Sequence, residues 1–254
     1  MTTHMKFPKI SGFSSAVYNI NAKFGIDQLP ELTYFPKIKI HGTNAGVRIN
    51  PRGTGRGLDS DVIAQDRRED VTSGHYGFVE WLSVRKKTFL GIANRVRDDA
   101  DEDSTVIVYG EWGGPGVQAE GAVSKIPHNV FFIFGIRVVT ETEDYFIHNP
   151  QVLDSHLLSR PADIKIIPHM TPIIINFDDP QSVSAAAEAM NAAVDQINIA
   201  DPYIQSEFNI TGIGEGLVFY PGSAFMCDTD ALELFGFKVK GSDHASGTNG
   251  VKET

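Results

Sequence analysis

The chain has 254 residues with 22 lysines and arginines against 32 aspartates and glutamates, a formal net charge of −10. That balance excludes a nonspecific nucleic-acid coat protein, which needs a broad cationic surface, but leaves room for a local basic site. A single cysteine, Cys227, rules out an intrachain disulfide and a cysteine-based zinc site, and with no apolar run long enough for a bilayer and no signal-peptide pattern the expectation is a soluble, cytoplasmic monomer, in the host cytoplasm if virus-encoded.

Residues up to about Leu32 lack a long periodic pattern and contain Gly12, Gly25 and Pro30, so short helical or looped structure is expected there. In the segment 36–41, Ile38 and Ile40 alternate with Lys37 and Lys39, the period of a strand with one apolar face. Lys39 and His41 are thereby expected to leave the strand on the side opposite the isoleucines. Gly42 permits a tight change of direction, and Asn44 offers an amide that both donates and accepts. Ala45 to Ile49 reads as the continuation or hairpin partner of that strand. Three glycines and a proline between Asn50 and Gly57 predict a flexible loop whose two arginines suit either a phosphate backbone or a solvated hairpin tip.

A strand over 62–67 delivers Arg67 and Arg68 at its end. From Tyr76 to Arg97 the apolar residues recur at helical spacing, predicting one amphipathic helix with Arg85, Lys86 and Lys87 largely outward. The run 98–103 is read as a solvated acidic loop and 141–144 as an acidic hairpin turn. Thr105 to Tyr109 is a buried strand entering Gly110-Glu111-Trp112-Gly113-Gly114-Pro115-Gly116, where glycines and a proline argue against regular structure and present Glu111 at a strand end. Val130 to Val139 is a continuous apolar strand, 149–160 a helix and 173–176 a strand. The alanine-rich stretch 184–197 is a helix with Ser182 as its cap. Strands over 214–220 and 235–240 close the pattern, the second placing Lys238 and Lys240 on one face. The polar residues 241–254 are expected to be disordered, and no separate C-terminal domain is expected after Lys240.

Lys39, His41, Asn44, Arg67, Glu111, Glu215, Lys238 and Lys240 thus sit at strand ends or on one strand face. Two glutamates, an arginine and three lysines suit a nucleoside triphosphate, with carboxylates for ribose hydroxyls and Mg²⁺ and cations for phosphate oxygens. A P-loop of the form GxxxxGK[ST] is absent, which argues against an ordinary P-loop NTPase. His75, His128, His148, His156 and His169 show no metal-ligand spacing and read as surface or satisfied core residues.

The segment Lys39-Ile40-His41-Gly42-Thr43-Asn44 resembles the nucleotidyl-lysine motif of the RNA ligase 2 family, within the covalent nucleotidyltransferases. In the same order, Gln65-Asp66-Arg67 is similar to the arginine-bearing motif and Tyr109-Gly110-Glu111-Trp112-Gly113-Gly114-Pro115-Gly116-Val117-Gln118 to the glutamate motif. Phe132-Ile133-Phe134-Gly135-Ile136 is similar to the adenine-stacking strand, and Glu215-Gly216-Leu217-Val218 and Lys238-Val239-Lys240 to the last two motifs. One such match is weak; six in order are strong. His41 and Asn44 stand where DNA ligases and capping enzymes usually carry aspartate and arginine, and Gly135 stands where RNA ligases of this type tend to have an aspartate.

The resemblance implies an α+β fold: an ATP-grasp-like ligase adenylation domain over residues 1–240, of antiparallel sheets flanked by helices. It implies an ATP-dependent RNA ligase working through Lys39-linked AMP and adenylated RNA, with RNA ends bearing 3′-hydroxyl and 5′-phosphate groups, in a nicked duplex, as substrate. Ile38, His41, Asn44, Arg67, Glu111, Phe134, Glu215, Lys238 and Lys240 would bind ATP or AMP, Lys238 and Lys240 sharing catalysis with Lys39. Glu215 would hold Mg²⁺ or Mn²⁺, and Arg67 and Gln118 would meet RNA. A DNA or hybrid nick ligase, and an inactive nucleotide-binding module, are the competing expectations.

Overall fold

The computed structural model describes residues 4–24, 30–51, 61–99, 103–158, 160–222 and 226–241. The greater part of the predicted loop at 50–57 and of the polar tail lies outside the described residues. So do Ala100, Asp101 and Glu102 of the acidic run.

The N-terminal part holds β1 (Ser11–Gly12), α1 (Phe13–Phe24), β2 (Glu31–Ile38), β3 (Thr43–Ile49) and β4 (Val62–Gln65). Then follow α2 (Phe78–Ser83), α3 (Lys86–Asp99), β5 (Thr105–Gly113), β6 (Val130–Val139), β7 (Asp144–Ile147) and α4 (Pro150–His156). The chain continues through β8 (Ile164–Ile166), β9 (Ile173–Asn176), α5 (Pro180–Ile199), α6 (Pro202–Phe208), β10 (Gly216–Pro221), β11 (Met226–Asp228), α7 (Thr229–Phe235) and β12 (Phe237–Lys240). Two sheets result. One has five strands in the order β1-β12-β10-β2-β9; the other has seven, with β11-β7-β6-β5-β3-β4 in line and β8 alongside β6. All pairings are antiparallel except β1 with β12 and β6 with β8.

β6 explains its own apolar run, because it is covered on both faces. Val130, Phe132 and Phe134 join the core that includes Ile38, Phe219 and Phe237 of the five-stranded sheet, whereas Phe131, Ile133, Ile136 and Val138 pack with Phe78, Phe89 and Ile92 of α2 and α3. A strand buried on both sides has no polar face to show. The switch from odd to even positions marks a bulge: Tyr109 pairs with Gly135 and Gly110 with Ile133, leaving Phe134 without a ladder partner.

Several expectations change. Lys39 does not lie within a strand: β2 ends at Ile38, and β3 neither continues it nor pairs with it, because the chain crosses from one sheet to the other between them. Lys37 is not on a polar face but buried, its Nζ donating to the Phe134 carbonyl at 3.0 Å. The helix expected over 76–97 is broken after Ser83; Arg85 turns inward to pair with Asp163 and lies over the Trp81 ring, 4.8 Å from its centroid. Glu111 sits inside β5, which runs on through the glycines to Gly113. Asp179, not Ser182, caps α5, while Ser182 Oγ accepts from the Asn176 N–H. The helix at 149–160 ends at His156, and 235–236 form the end of α7 and its cap, not strand.

Candidate active site

The crossover between the sheets places Lys39. Its backbone N–H donates to the Gly216 carbonyl at 2.8 Å, so the lysine is pinned beside the start of β10. Its Nζ then donates to Glu215 Oε2 at 2.7 Å, and Lys240 Nζ donates to the other oxygen, Oε1, also at 2.7 Å. His41 Nδ1 stands 3.6 Å from Oε2. β10 and β12 bring Glu215 and Lys240 together because Gly216 lies opposite Lys240 and Val218 opposite Lys238.

The opposite wall comes from the seven-stranded sheet. Asn44 and Glu111 are directly paired across β3 and β5, so their side chains share a face. Gly42 is fixed by close approach: a Cβ there would meet the Trp112 carbonyl oxygen at 2.4 Å and Glu111 Cγ at 2.8 Å. Its N–H donates to the Glu111 carboxylate, and its carbonyl accepts from Gln118 Nε2 at 2.9 Å. Gln118, expected to meet RNA, therefore braces the turn that carries Lys39 and His41.

Between the walls is a cleft of about 410 Å³ lined by Ile38, Lys39, Asn44, Arg67, Glu111, Phe134 and Lys238, among others. His41, Glu215 and Lys240 join it through the ion-pair network. Phe134 is buried, parallel to Tyr109 at 6.4 Å and edge-on to Phe7 at 4.9 Å. Gly135 leaves space that Phe146 fills, since a Cβ at that position would lie 2.0 Å from the Phe146 ring; the aspartate common in the family has no room here.

The electrostatics of the two carboxylates differ. Burial raises the Glu215 carboxyl, but the His41 hydrogen bond and the charges and hydrogen bonds of Lys39 and Lys240 outweigh it and hold the group well below the usual carboxylate range. Burial dominates at Glu111 and, with the nearby Glu215 charge, pushes it up to about 7 against the pull of Lys39 and His41. Lys238 is lowered by burial and then by the charges of Lys240, Lys39 and Arg67.

Among the described residues no three acidic, histidine or cysteine side chains form a ready metal cage. Glu215 and Glu111 instead fit an ion of the Mg²⁺ type, which takes one or two carboxylates and completes its shell with phosphate oxygens and water. Each Glu215 oxygen accepts from one lysine and keeps a second lone pair that a metal could take.

Several lining residues were not assigned to the site from the sequence, among them Phe7, Pro8, Ile10, Ile167 and His75, the last with Nε2 3.1 Å from the Asn44 carbonyl oxygen. Of these the Phe7-Pro8 pair carries some signal, an aromatic beside a rigid residue and flanked by Lys6 and Lys9.

Two largely antiparallel sheets enclosing a lysine, two carboxylates and a pair of basic residues on the last strand define a nucleotidyltransferase fold. The RNA ligase family model matches residues 34–240, and the chain belongs to that family. Its solved neighbours include the Naegleria gruberi RNA ligase with pyrophosphate, at 15% identity and a TM-score of 0.56 over 96% of this chain and 58% of that one. A lysine-to-methionine mutant of that ligase with AMP and manganese matches at 15% identity and a TM-score of 0.55, over 96% and 59% of the two chains. A glutamate-to-alanine mutant with AMP and manganese gives 16%, 0.56, 96% and 58%. The chain thus spans less than two thirds of the Naegleria protein's length. No curated protein sequence matches it significantly.

Proposed function

We propose that the protein is an ATP-dependent RNA ligase in which Lys39 becomes covalently linked to AMP. The observation that carries this reading is the Lys39–Glu215–Lys240 network, two bonds of 2.7 Å on one buried carboxylate, facing Glu111 and Phe134 across a cleft of nucleotide size.

In the first step the Lys39 amine, having lost a proton, attacks the α-phosphorus of ATP. An N–P bond forms, the bond to the bridging β-oxygen breaks, and pyrophosphate leaves. In the second, an oxygen of the RNA 5′-phosphate attacks the same phosphorus and releases the lysine. In the third, the RNA 3′-hydroxyl attacks the 5′-phosphate, forming the phosphodiester and expelling AMP. Catalysis here is positioning plus charge stabilisation. Lys238 and Lys240 balance charge on the α-phosphate and the departing pyrophosphate. Phe134 offers its face to adenine, Ile38 packs beside it, and Asn44 and Glu111 take ribose hydroxyls. Arg67, at the exposed rim, meets the terminal phosphate of the joining strand. Glu215 would hold a divalent ion, Mg²⁺ or Mn²⁺, which would supply further charge neutralisation on the phosphates. Gln118 holds the Lys39–Gly42 turn and is assigned no RNA contact.

The reading is tested by incubation with ATP and matched nicked duplexes of RNA, DNA and RNA–DNA hybrid. Sealing of the RNA nick supports it, and preferential sealing of DNA transfers the assignment to a DNA ligase. Absence of sealing on every substrate, with Lys39 unmodified, leaves only a nucleotide-binding module. GTP in place of ATP is expected to give no product.

A further inference from the structure

The nucleotide cleft opens onto a second groove of about 590 Å³. Phe7, Pro8, Arg67 and Arg68 line both and form their common rim. One wall of the groove is the N-terminal segment, whose backbone is fixed in place. Tyr109 Oη and Gln65 Nε2 each donate to the Met5 carbonyl at 2.6 Å, and Arg137 Nη1 donates to the Lys6 carbonyl at 3.0 Å. Phe7 turns inward against Tyr109, Phe134 and Phe146, which leaves Lys6 and Lys9 exposed along the groove. Arg137 is neutralised by Asp144, but Lys6, Lys9, Arg67 and Arg68 form no ion pair with any described residue.

Four cations along one groove, none ion-paired with a described residue, repel one another, and in a chain of net charge −10 they mark a place where local charge opposes the whole. A row of phosphates removes that repulsion. We propose that this groove carries the phosphodiester backbone of the RNA strand bearing the 5′-phosphate: Arg67 and Arg68 receive its end at the rim, and Lys6 and Lys9 hold the phosphates that follow. The proposal rests on the RNA-joining function. Asp230 and Glu233 form part of the other side of the groove and repel phosphate, confining the strand to the lysine wall. Because that wall is anchored by hydrogen bonds, RNA binding does not have to order it.

The test uses the full chain with Lys6→Ala/Lys9→Ala and two AMP acceptors, a nucleoside 3′,5′-bisphosphate and a 5′-phosphorylated RNA of about a dozen nucleotides. With the long strand, kcat/KM is expected to fall roughly 10-fold or more through KM, and the logarithmic salt slope to shrink by about 1.4 for two lost single-strand contacts. Transfer to the bisphosphate and formation of lysyl-AMP stay within about twofold of wild type, and Lys6→Arg/Lys9→Arg recovers the long strand, as expected for lost phosphate charges alone. An unchanged KM and salt slope on the long strand, or an equal loss on both acceptors, overturns the groove. Should the wild type join no RNA, the ligase reading fails separately. Filter binding of the same RNA then decides the groove: weaker binding by the alanine variant supports it, equal binding overturns it.

Discussion

The two walls of the cleft hold their functional side chains by opposite means. On the five-stranded sheet, Glu215 is buried yet fully compensated, because Lys39 and Lys240 occupy one oxygen each. On the seven-stranded sheet, Glu111 faces the same cleft with a Gly42 N–H and only distant cations, and its carboxyl rises to about 7. The aromatic on that wall is placed by backbone irregularity: the bulge at Phe134 frees its carbonyl from the ladder, and buried Lys37 supplies the missing donor. One wall is therefore assembled by charge pairing, the other by steric fit and a bulge. The first should respond to pH and charge substitutions, the second to changes of shape.

The largest effect is expected from the basic pair on the first wall. Lys238→Ala or Lys240→Ala should slow lysyl-AMP formation on the order of 10²-fold or more, as for removal of a positioned charge from a transition state, measured by rapid-quench labelling with ATP. A loss below about tenfold for both would show that charge on β12 is not what the wall provides. Next comes shape on the second wall: Phe134→Ala should weaken ATP binding by about 1–3 kcal/mol, read by calorimetry, the usual worth of a base stacked on an aromatic. Phe134→Tyr should retain most of it.

Stability separates the walls further. Glu215 has a depressed pKa in the folded state, so its contribution is present above the ordinary value of 4.5 and is lost as pH falls through the folded one. Glu215→Gln should cost on the order of 1–3 kcal/mol at pH 7, less than a fully buried pair because both lysines keep contact with solvent. In denaturant melts the gap between the two proteins should stay constant from pH 7 to about pH 5 and then narrow, without closing, down to pH 3; parallel curves over the whole range would contradict the network. Glu111 has the opposite sign. Its folded pKa of about 7 lies above the ordinary 4.5, so its burial favours folding of the protonated form and the folded state loses stability as pH rises between those values. Glu111→Gln should therefore raise Tm at pH 8 in the nucleotide-free protein and leave it unchanged at pH 4.

The division between the walls also shows what the sequence disclosed. Motif order located Lys39, Glu111, Glu215, Lys238 and Lys240, because charged residues stand out against apolar runs. It did not reveal that the strand before Lys39 stops one residue short, since the alternation of Lys37 to Ile40 is the same whether its polar face meets water or a second sheet. Buried Lys37 is legible only once Phe134 is seen to sit in a bulge, and a bulge leaves no trace in an unbroken apolar run such as 130–139. The break after Ser83 was hidden for a related reason, as Arg85 keeps helical spacing while its partner Asp163 is distant in sequence. Contacts between remote segments, Phe7 on Phe134 and Gln118 on Gly42, lay beyond any local pattern.

The central claim is that Lys39 accepts AMP. Intact mass spectrometry after incubation with ATP and Mg²⁺ measures it directly: the wild type should gain the mass of one adenylate, and Lys39→Ala should gain none. A wild type that stays unmodified, or an alanine variant that still takes up AMP, would contradict the account.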